Sequence, residues 1–253
     1  MEFLQINKIK GIRFPMKSYL SKLSFEFGRN PTAHPELKKL EYFESPYWKF
    51  DHGDWFEADP CTNVDKDPEW YAPDLVKNIK NSTTKHEFGC HTFSHIDCRE
   101  SVCTPEVFKS ELNECRKHAK LNNLDLKSFV YPGHTIGNID YLKDLGFSSY
   151  RSNFINTLGL PVKRKDGLWE HKSTVEFDIR PNWSMEYHIY RYKKLIDRAI
   201  KSNTTCHFWF HPSFSNQFLT EIMPEVLKYI DSKRSDIWVT TMKEYTEWLN
   251  ENC

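Results

Sequence analysis

An α/β fold with a parallel sheet or barrel is predicted by two observations. From Pro73 onward, short apolar runs typical of strands alternate with amphipathic stretches typical of helices. The chain also carries 39% hydrophobic and 15% aromatic residues over 253 positions, which is enough to bury one large core. In such folds the chemistry gathers at the carboxyl ends of the strands.

Helices are predicted from apolar periodicity and from residues that cap or open a helix. Pro73 and Pro105 are placed to open the helices 73–80 and 105–121, Thr104 to cap the latter, and Gly146 to end the helix 139–145. A short helix is also expected after Pro31. The predicted ranges are 34–43, 73–80, 105–121, 139–145, 185–202, 218–232 and 243–250.

Strands are predicted at residues 86–92, 128–131, 148–151, 173–177, 205–210 and 237–241. The stretch from Pro46 to Pro68 is dense in aromatic residues and aspartate without clean periodicity, so we expect a long rim loop there. We divide the chain into an irregular or helical N-terminal segment, residues 1–45, and one domain, residues 46–253.

Composition excludes several function classes. Thirty-five basic residues balance 35 acidic ones, so no overall charge favours nucleic acid or an anionic membrane. No apolar stretch reaches the roughly 18 residues that a membrane span needs, and the start of the chain lacks the apolar core of a secretory signal. Seven cysteines without a framework spacing are typical of free thiols. We therefore expect a cytoplasmic chain that does not span a membrane.

Two histidine pairs are the sharpest chemical signal. His91 and His95 are four residues apart, so a helical turn after the strand would let both imidazoles reach one cation. On spacing alone, surface or hydrogen-bonded histidines are the commoner interpretation. His207 and His211 also lie four apart, on a late strand with both side chains toward one face. His211 is nearer the strand end and has the better access to a pocket.

The run HEFGCHTFSH, residues 86–95, resembles the histidine box of the polysaccharide deacetylases, the family with the NodB homology domain. The resemblance covers roughly residues 46–250 and continues in WYAPDLV (70–76), SFVYPG (128–133), LGF (145–147) and WFHP (209–212). It implies a distorted (β/α) barrel with a divalent metal, often zinc, held by two histidines and an aspartate. A second aspartate acts as base, and a histidine on a late strand protonates the departing amine.

Carried over to this sequence, the resemblance makes His91 and His95 the metal ligands and His211 the general acid, with His207 as its competitor. It implies a hydrolase of carbon–nitrogen bonds other than peptide bonds. The expected reaction is the metal-dependent removal of N- or O-linked acetyl groups from a carbohydrate or a sugar-containing small molecule.

The loop after the second predicted strand supplies candidates for the substrate pocket. The candidates are Tyr131 at the end of that strand and Pro132 and Gly133 after it, and the glycine allows a close approach of the backbone. A simple strand-to-helix turn is an equally good interpretation of these three residues.

The sequence departs from the family pattern at its start. The first 50 residues contain no aspartate, whereas the family's first strand ends in an aspartate pair. Val130 also stands where the family has an arginine two residues before its proline. We therefore expect a barrel that is incomplete at the first strand, and the third metal ligand stays open among Asp51, Asp54, Asp97 and Glu87.

Two alternatives follow from this departure and from the cysteines near the histidines. The first is a catalytically impaired, carbohydrate-binding relative, equivalent to an N-terminally truncated deacetylase. The second is a structural zinc site in which Cys90, Cys98 and Cys103 join the histidines, although their spacing is unlike that of paired zinc cysteines. For Glu87, a carboxylate hydrogen-bonded to backbone is favoured over a metal ligand.

Overall fold

The computed structural model describes residues 65–66, 73–93, 95–153, 157–211 and 215–253. The predicted helix at 34–43, the domain boundary at residue 45, most of the rim loop, and Asp51 and Asp54 lie outside these ranges. Within them the fold is mixed α/β, which confirms the predicted class. The helices are α1 (Pro73–Lys80), α2 (Pro105–Leu121), α3 (Asp140–Asp144), α4 (Met185–Lys201), α5 (Met223–Ser232) and α6 (Met242–Asn252).

The helices begin where the sequence places their caps. Thr104 caps α2 by accepting from the backbone N–H of Val107, and Ser184 caps α4 by accepting from that of Tyr187. Thr241 and Glu244 form a reciprocal capping box at the start of α6. Within the described ranges, the ends of the predicted helices differ from the observed ones by at most two residues, with one exception. The predicted helix 218–232 divides into a π-helical turn, Phe218–Ile222, and α5, Met223–Ser232.

The strands are β1 (Ser128–Val130), β2 (Ser149–Asn153), β3 (Val162–Lys163), β4 (Trp169–Ser173), β5 (Val175–Glu176) and β6 (Phe208–Trp209). One sheet has the order β1-β2-β4-β3, with β3 antiparallel at its edge, and β5 pairs with β6 in parallel. Thr174 alone separates β4 from β5, so the two sheets share one run of chain. The described strands form no closed ring, and the barrel stays a prediction.

Two predicted strands are corrected. Of residues 86–92, only Cys90 bridges β1: its N–H donates to the Ser128 carbonyl at 2.9 Å, and its carbonyl accepts from Val130 N–H at 2.9 Å. Residues 237–241 form an irregular segment instead of a strand. Its apolar side chains, Ile237 and Val239, still pack against the core.

Two hydrophobic clusters flank the sheets. The first joins β1 and β2 to α2 and α3, and the ring centre of its central Phe129 lies 4.7 Å from that of Tyr131 and 5.6 Å from that of Phe147. The second joins β5 and β6 to α4 and α5 around Phe177, which stacks on Phe208 at 4.2 Å. Along the described ranges, every helix is too short or too polar to cross a bilayer.

A buried histidine on β4 makes folding sensitive to acid. His171 Nε2 lies 2.8 Å from Thr246 Oγ1 on α6, and burial lowers the pKa of His171 from 6.5 to about 4. Between those values the unfolded chain binds more protons than the folded one, so the free energy of unfolding falls as pH drops from about 6.5 towards 4. We expect urea midpoints to decrease over this range, and less steeply in His171→Gln. Equal slopes in the variant and the wild type would contradict this assignment.

Candidate metal centre

His91 is held as a neutral imidazole with a defined tautomer. Its Nδ1 lies 2.7 Å from the carbonyl oxygen of Val130, at the end of β1, and only a protonated Nδ1 can donate to that acceptor. Burial lowers the pKa of His91 well below its ordinary value, and the charges of His95 and Arg151 lower it further. Nε2 therefore carries a lone pair, which is the state that binds a metal.

His95 meets His91 through a left-handed turn instead of the expected helical one. Thr92 and His95 have φ values of 59° and 57°. A β-branched residue such as Thr92 rarely adopts this conformation, which costs on the order of 1–3 kcal/mol. Thr92 Oγ1 closes the turn by accepting from Ile96 N–H at 3.2 Å. The strained turn brings the two ring centres to 4.9 Å at an interplanar angle of 73°.

These two imidazoles fit one small cation. Rings that bind the same tetrahedral ion at about 2.1 Å have centres about 5 Å apart, close to the observed 4.9 Å. Catalytic zinc sites generally use three protein ligands. Over the part of the chain that the structure describes, no group of three or more His, Cys, Asp or Glu side chains could hold an ion. Metal binding by His91 and His95 therefore stays a prediction.

The two described carboxylates near the histidine box have other partners. Asp97 is buried, and it accepts from the backbone N–H of Arg99 at 3.0 Å and from the guanidinium of the same residue. Glu87 accepts from the Ser128 hydroxyl and, at 3.0 Å, from the backbone N–H of Lys243 in the first turn of α6. Neither completes the histidine site, and for Glu87 the structural interpretation is confirmed.

We expect Glu87→Ala to weaken the fold and to leave metal retention unchanged. The substitution leaves the Ser128 hydroxyl and the N-terminus of α6 without their acceptor, which costs about 1–3 kcal/mol in the free energy of unfolding. Urea denaturation and metal analysis of the same preparation measure both quantities. Loss of the metal from a variant that is still folded would return Glu87 to the ligand set.

His211 and His207 differ in exposure as the sequence predicts. The His211 side chain is 38% exposed, and its Nδ1 lies 3.6 Å from Glu176 Oε1 on the neighbouring strand β5. His207 is 6% exposed, and burial and then the charge of Arg151 lower its pKa well below the ordinary value. His211 is thus the histidine of this pair with access to solvent.

Arg151 on β2 is a residue that the sequence analysis missed. It is 5% exposed, and its guanidinium carbon lies 4.9 Å from the centre of the Trp209 ring on β6. Its charge contributes to the lowered pKa values of His91, His134 and His207. The charge of one arginine therefore acts on three histidines from separate parts of the sequence. The only sign of it in the sequence was a charged residue inside the short strand SYRSN, residues 149–153.

In the loop after β1, the side chain that contacts Trp209 is His134, whereas the expected pocket residue Tyr131 lies in the core. The Tyr131 ring is 1% exposed and packs on Phe129 and Tyr150 in the first core cluster, so its contacts are those of a core residue. Pro132 is buried and opens a short 3-10 turn, and left-handed φ values of 53° at Gly133 and 60° at His134 turn the chain back. The His134 ring then contacts that of Trp209 at 4.9 Å.

The alternative zinc site with cysteine ligands is not formed by the described residues. Cys90, Cys98, Cys103 and Cys115 are buried as free thiols. Burial raises the pKa of Cys98 well above its ordinary value and that of Cys103 to about 12. No ligand group containing these cysteines occurs in the described ranges.

Comparison with known proteins shows a likeness of fold. No family model and no curated protein sequence matches the chain. Among solved structures, the chain is similar to the crystal structure of Puue allantoinase, with a TM-score of 0.56 and 12% sequence identity. The match covers 72% of this chain and 64% of the allantoinase chain, so it spans less than two thirds of that protein. At this identity the likeness concerns the α/β architecture alone.

Proposed function

We propose that the chain is a metal-dependent hydrolase that cleaves an acyl bond, in particular an amide-type carbon–nitrogen bond. The observation that carries the proposal is the pair of imidazoles 4.9 Å apart, with His91 Nε2 left available by the hydrogen bond from Nδ1 to Val130. The shared fold with an allantoinase is consistent with a hydrolase acting on a small molecule. The histidine box narrows the proposal to N- or O-linked acetyl groups on a carbohydrate and to zinc as the metal.

The residues divide the work as follows. A bound divalent metal would polarise the acyl carbonyl and lower the pKa of water. His91 and His95 would hold that metal, and the Val130 carbonyl fixes the ring of His91. His211, whose Nδ1 faces Glu176, would give a proton to the departing nitrogen.

A second candidate function is a carbohydrate-binding relative with impaired catalysis. It is favoured by one observation: within the described ranges, no carboxylate joins His91 and His95 in a group that could hold an ion. Asp51 and Asp54, which lie outside those ranges, are the remaining candidates for the third ligand and the base.

Metal analysis combined with product assays tests the proposal. The purified chain, supplied with zinc, is incubated with N-acetylated sugar oligomers, with O-acetylated sugars and with allantoin. We expect about one zinc per chain and release of acetate that stops when a chelator removes the metal. Turnover of allantoin instead of the sugars would support the hydrolase and reject the carbohydrate. Sugar binding without any turnover would favour the second candidate.

A further inference from the structure

Three aromatic side chains line the start of α4. Trp183 precedes the helix, and Tyr187 and Tyr190 lie on it three residues apart, so the two tyrosines share one face. The centre of the Tyr187 ring lies 5.1 Å from that of Trp183 and 6.5 Å from that of Tyr190, whose plane is tilted by 30°. Tyr187 is 47% exposed and Tyr190 is 58% exposed. We call these three side chains the aromatic track.

Local contacts fix the geometry of the track before any ligand binds. The Ser184 hydroxyl caps α4 by accepting from the N–H of Tyr187 at 3.2 Å. Across this cap, the centre of the Trp183 ring lies 5.3 Å from that of His188, a contact that sets the angle at which the chain enters the helix. The guanidinium carbon of Arg191 lies 4.9 Å from the centre of the Trp183 ring. Trp183 is therefore held in place, and the two tyrosines provide the exposed rings.

A series of contacts joins the track to the candidate acid, His211. The N–H of Trp183 donates to the carbonyl oxygen of Arg180 at 3.1 Å. The guanidinium of Arg180 lies 4.0 Å from one carboxylate oxygen of Glu176, and Nδ1 of His211 lies 3.6 Å from the other. Arg180 follows β5 and His211 follows β6, and these two strands are parallel. The track therefore begins at the carboxyl edge of this sheet, beside the 38% exposed side chain of His211.

The lysines beside the tyrosines are paired with carboxylates. Lys194 Nζ lies 5.6 Å from the centre of the Tyr190 ring and 3.8 Å from a carboxylate oxygen of Asp197. Lys193 Nζ lies 4.0 Å from a carboxylate oxygen of Glu225. Binding of nucleic acid depends on cations that neutralise its phosphates. Exposed rings beside balanced charges therefore favour an uncharged polymer over a nucleic acid.

We propose that the aromatic track binds the sugar chain of an extended carbohydrate substrate and so makes the protein selective for oligomers over single sugars. The C–H faces of pyranose rings pack on flat aromatic faces, and tyrosine and tryptophan offer this area with little side-chain entropy to lose. Two tyrosine rings 6.5 Å apart can contact two units of one sugar chain. The identity of the ligand as a carbohydrate rests on the proposed function, whereas binding to the track does not depend on catalysis.

The dependence of affinity on sugar chain length tests the track. Affinities for N-acetylglucosamine and for its β-1,4-linked tetramer are measured by NMR titration of the full chain, with and without zinc. We expect the tetramer to bind at least tenfold more tightly than the monomer. Tyr187→Ala combined with Tyr190→Ala should remove this difference and leave the affinity for the monomer unchanged. Tyr187→Phe combined with Tyr190→Phe keeps both rings and should retain the difference.

Trp238→Ala combined with Trp248→Ala is the matched control. These two rings are 56% and 45% exposed and contact each other at 6.2 Å, and their loss should leave the preference for the tetramer intact. If the double tyrosine variant fails to fold, Tyr190→Ala alone replaces it. A preference that is absent from the wild type, or retained in the folded tyrosine variant, would overturn the track. Dissociation of a dimer in that variant with sugar affinity unchanged would assign this face to a second copy of the chain instead.

Measurements of turnover separate the track from the proposed function. In an active enzyme, kcat/KM for acetate release should rise at least tenfold from the monomer to the tetramer. The double tyrosine variant should lose this rise through a higher KM for the tetramer, while its kinetics with the monomer stay those of the wild type. Tighter binding of the tetramer without any acetate release contradicts the proposed hydrolysis and leaves the track standing. Acetate release with equal kcat/KM for both lengths contradicts the track alone.

Discussion

Replacing His91 with alanine is expected to remove both the bound metal and the hydrolytic activity. The substitution deletes one of the two imidazoles that converge at 4.9 Å, and the remaining His95 cannot hold a divalent ion alone. A metal contributes several kcal/mol to stabilising the transition state, so kcat/KM should fall by at least about 10³-fold. Metal analysis and acetate release, measured on the same protein sample, provide the two readouts.

His86→Ala is the matched control, because it removes a histidine five residues earlier on the same segment. We expect this variant to keep its metal and its activity. A thermal melt shows whether His91→Ala is folded, and His91→Gln replaces it if the smaller side chain destabilises the chain. Full metal content in a folded His91 variant would place the ion elsewhere.

Replacing His211 with glutamine is expected to slow the cleavage of amides much more than that of activated esters. An amide nitrogen needs a proton before it leaves, and loss of a positioned acid typically costs about 10²–10⁴-fold in rate. An aryl acetate releases a stable phenolate and needs no such proton. The ratio of kcat for the amide to kcat for the ester is compared between the variant and the wild type. This ratio measures the role of His211 separately from metal binding.

His207→Gln is the control for this second experiment. His207 is 6% exposed, so its substitution should lower the free energy of unfolding. The ratio of amide to ester cleavage should change little. Should His207→Gln lose amide cleavage selectively while His211→Gln retains it, the two assignments are reversed.

The helices were predictable because their signals are local. The Thr104 cap with Pro105, the Ser184 cap and the Thr241 capping box act within one turn, and α2, α4 and α6 begin beside them. The strand β4 was largely missed for the opposite reason. Its buried positions include His171 and Ser173, so no apolar alternation marks it, and its partner β2 is distant in sequence.

The sequence predicted that the rings of His91 and His95 approach each other, and it did not predict the side chains that the strands bring together. The spacing of His91 and His95 indicated a shared cation, although the left-handed turn at Thr92 replaces the expected helix. The grouping of Arg151 with Trp209 depends on the alignment of strands that are far apart in sequence. No short-range pattern encodes that alignment, and so Arg151 was not a candidate.

The most direct test of the central claim is an anomalous-scattering map of crystals grown with zinc. The account predicts one strong zinc peak within about 2.1 Å of Nε2 of His91 and of a ring nitrogen of His95, with the His91 Nδ1–Val130 contact retained. A peak bound by cysteine sulfur, or rings that carry no peak in protein shown to contain zinc, would contradict it.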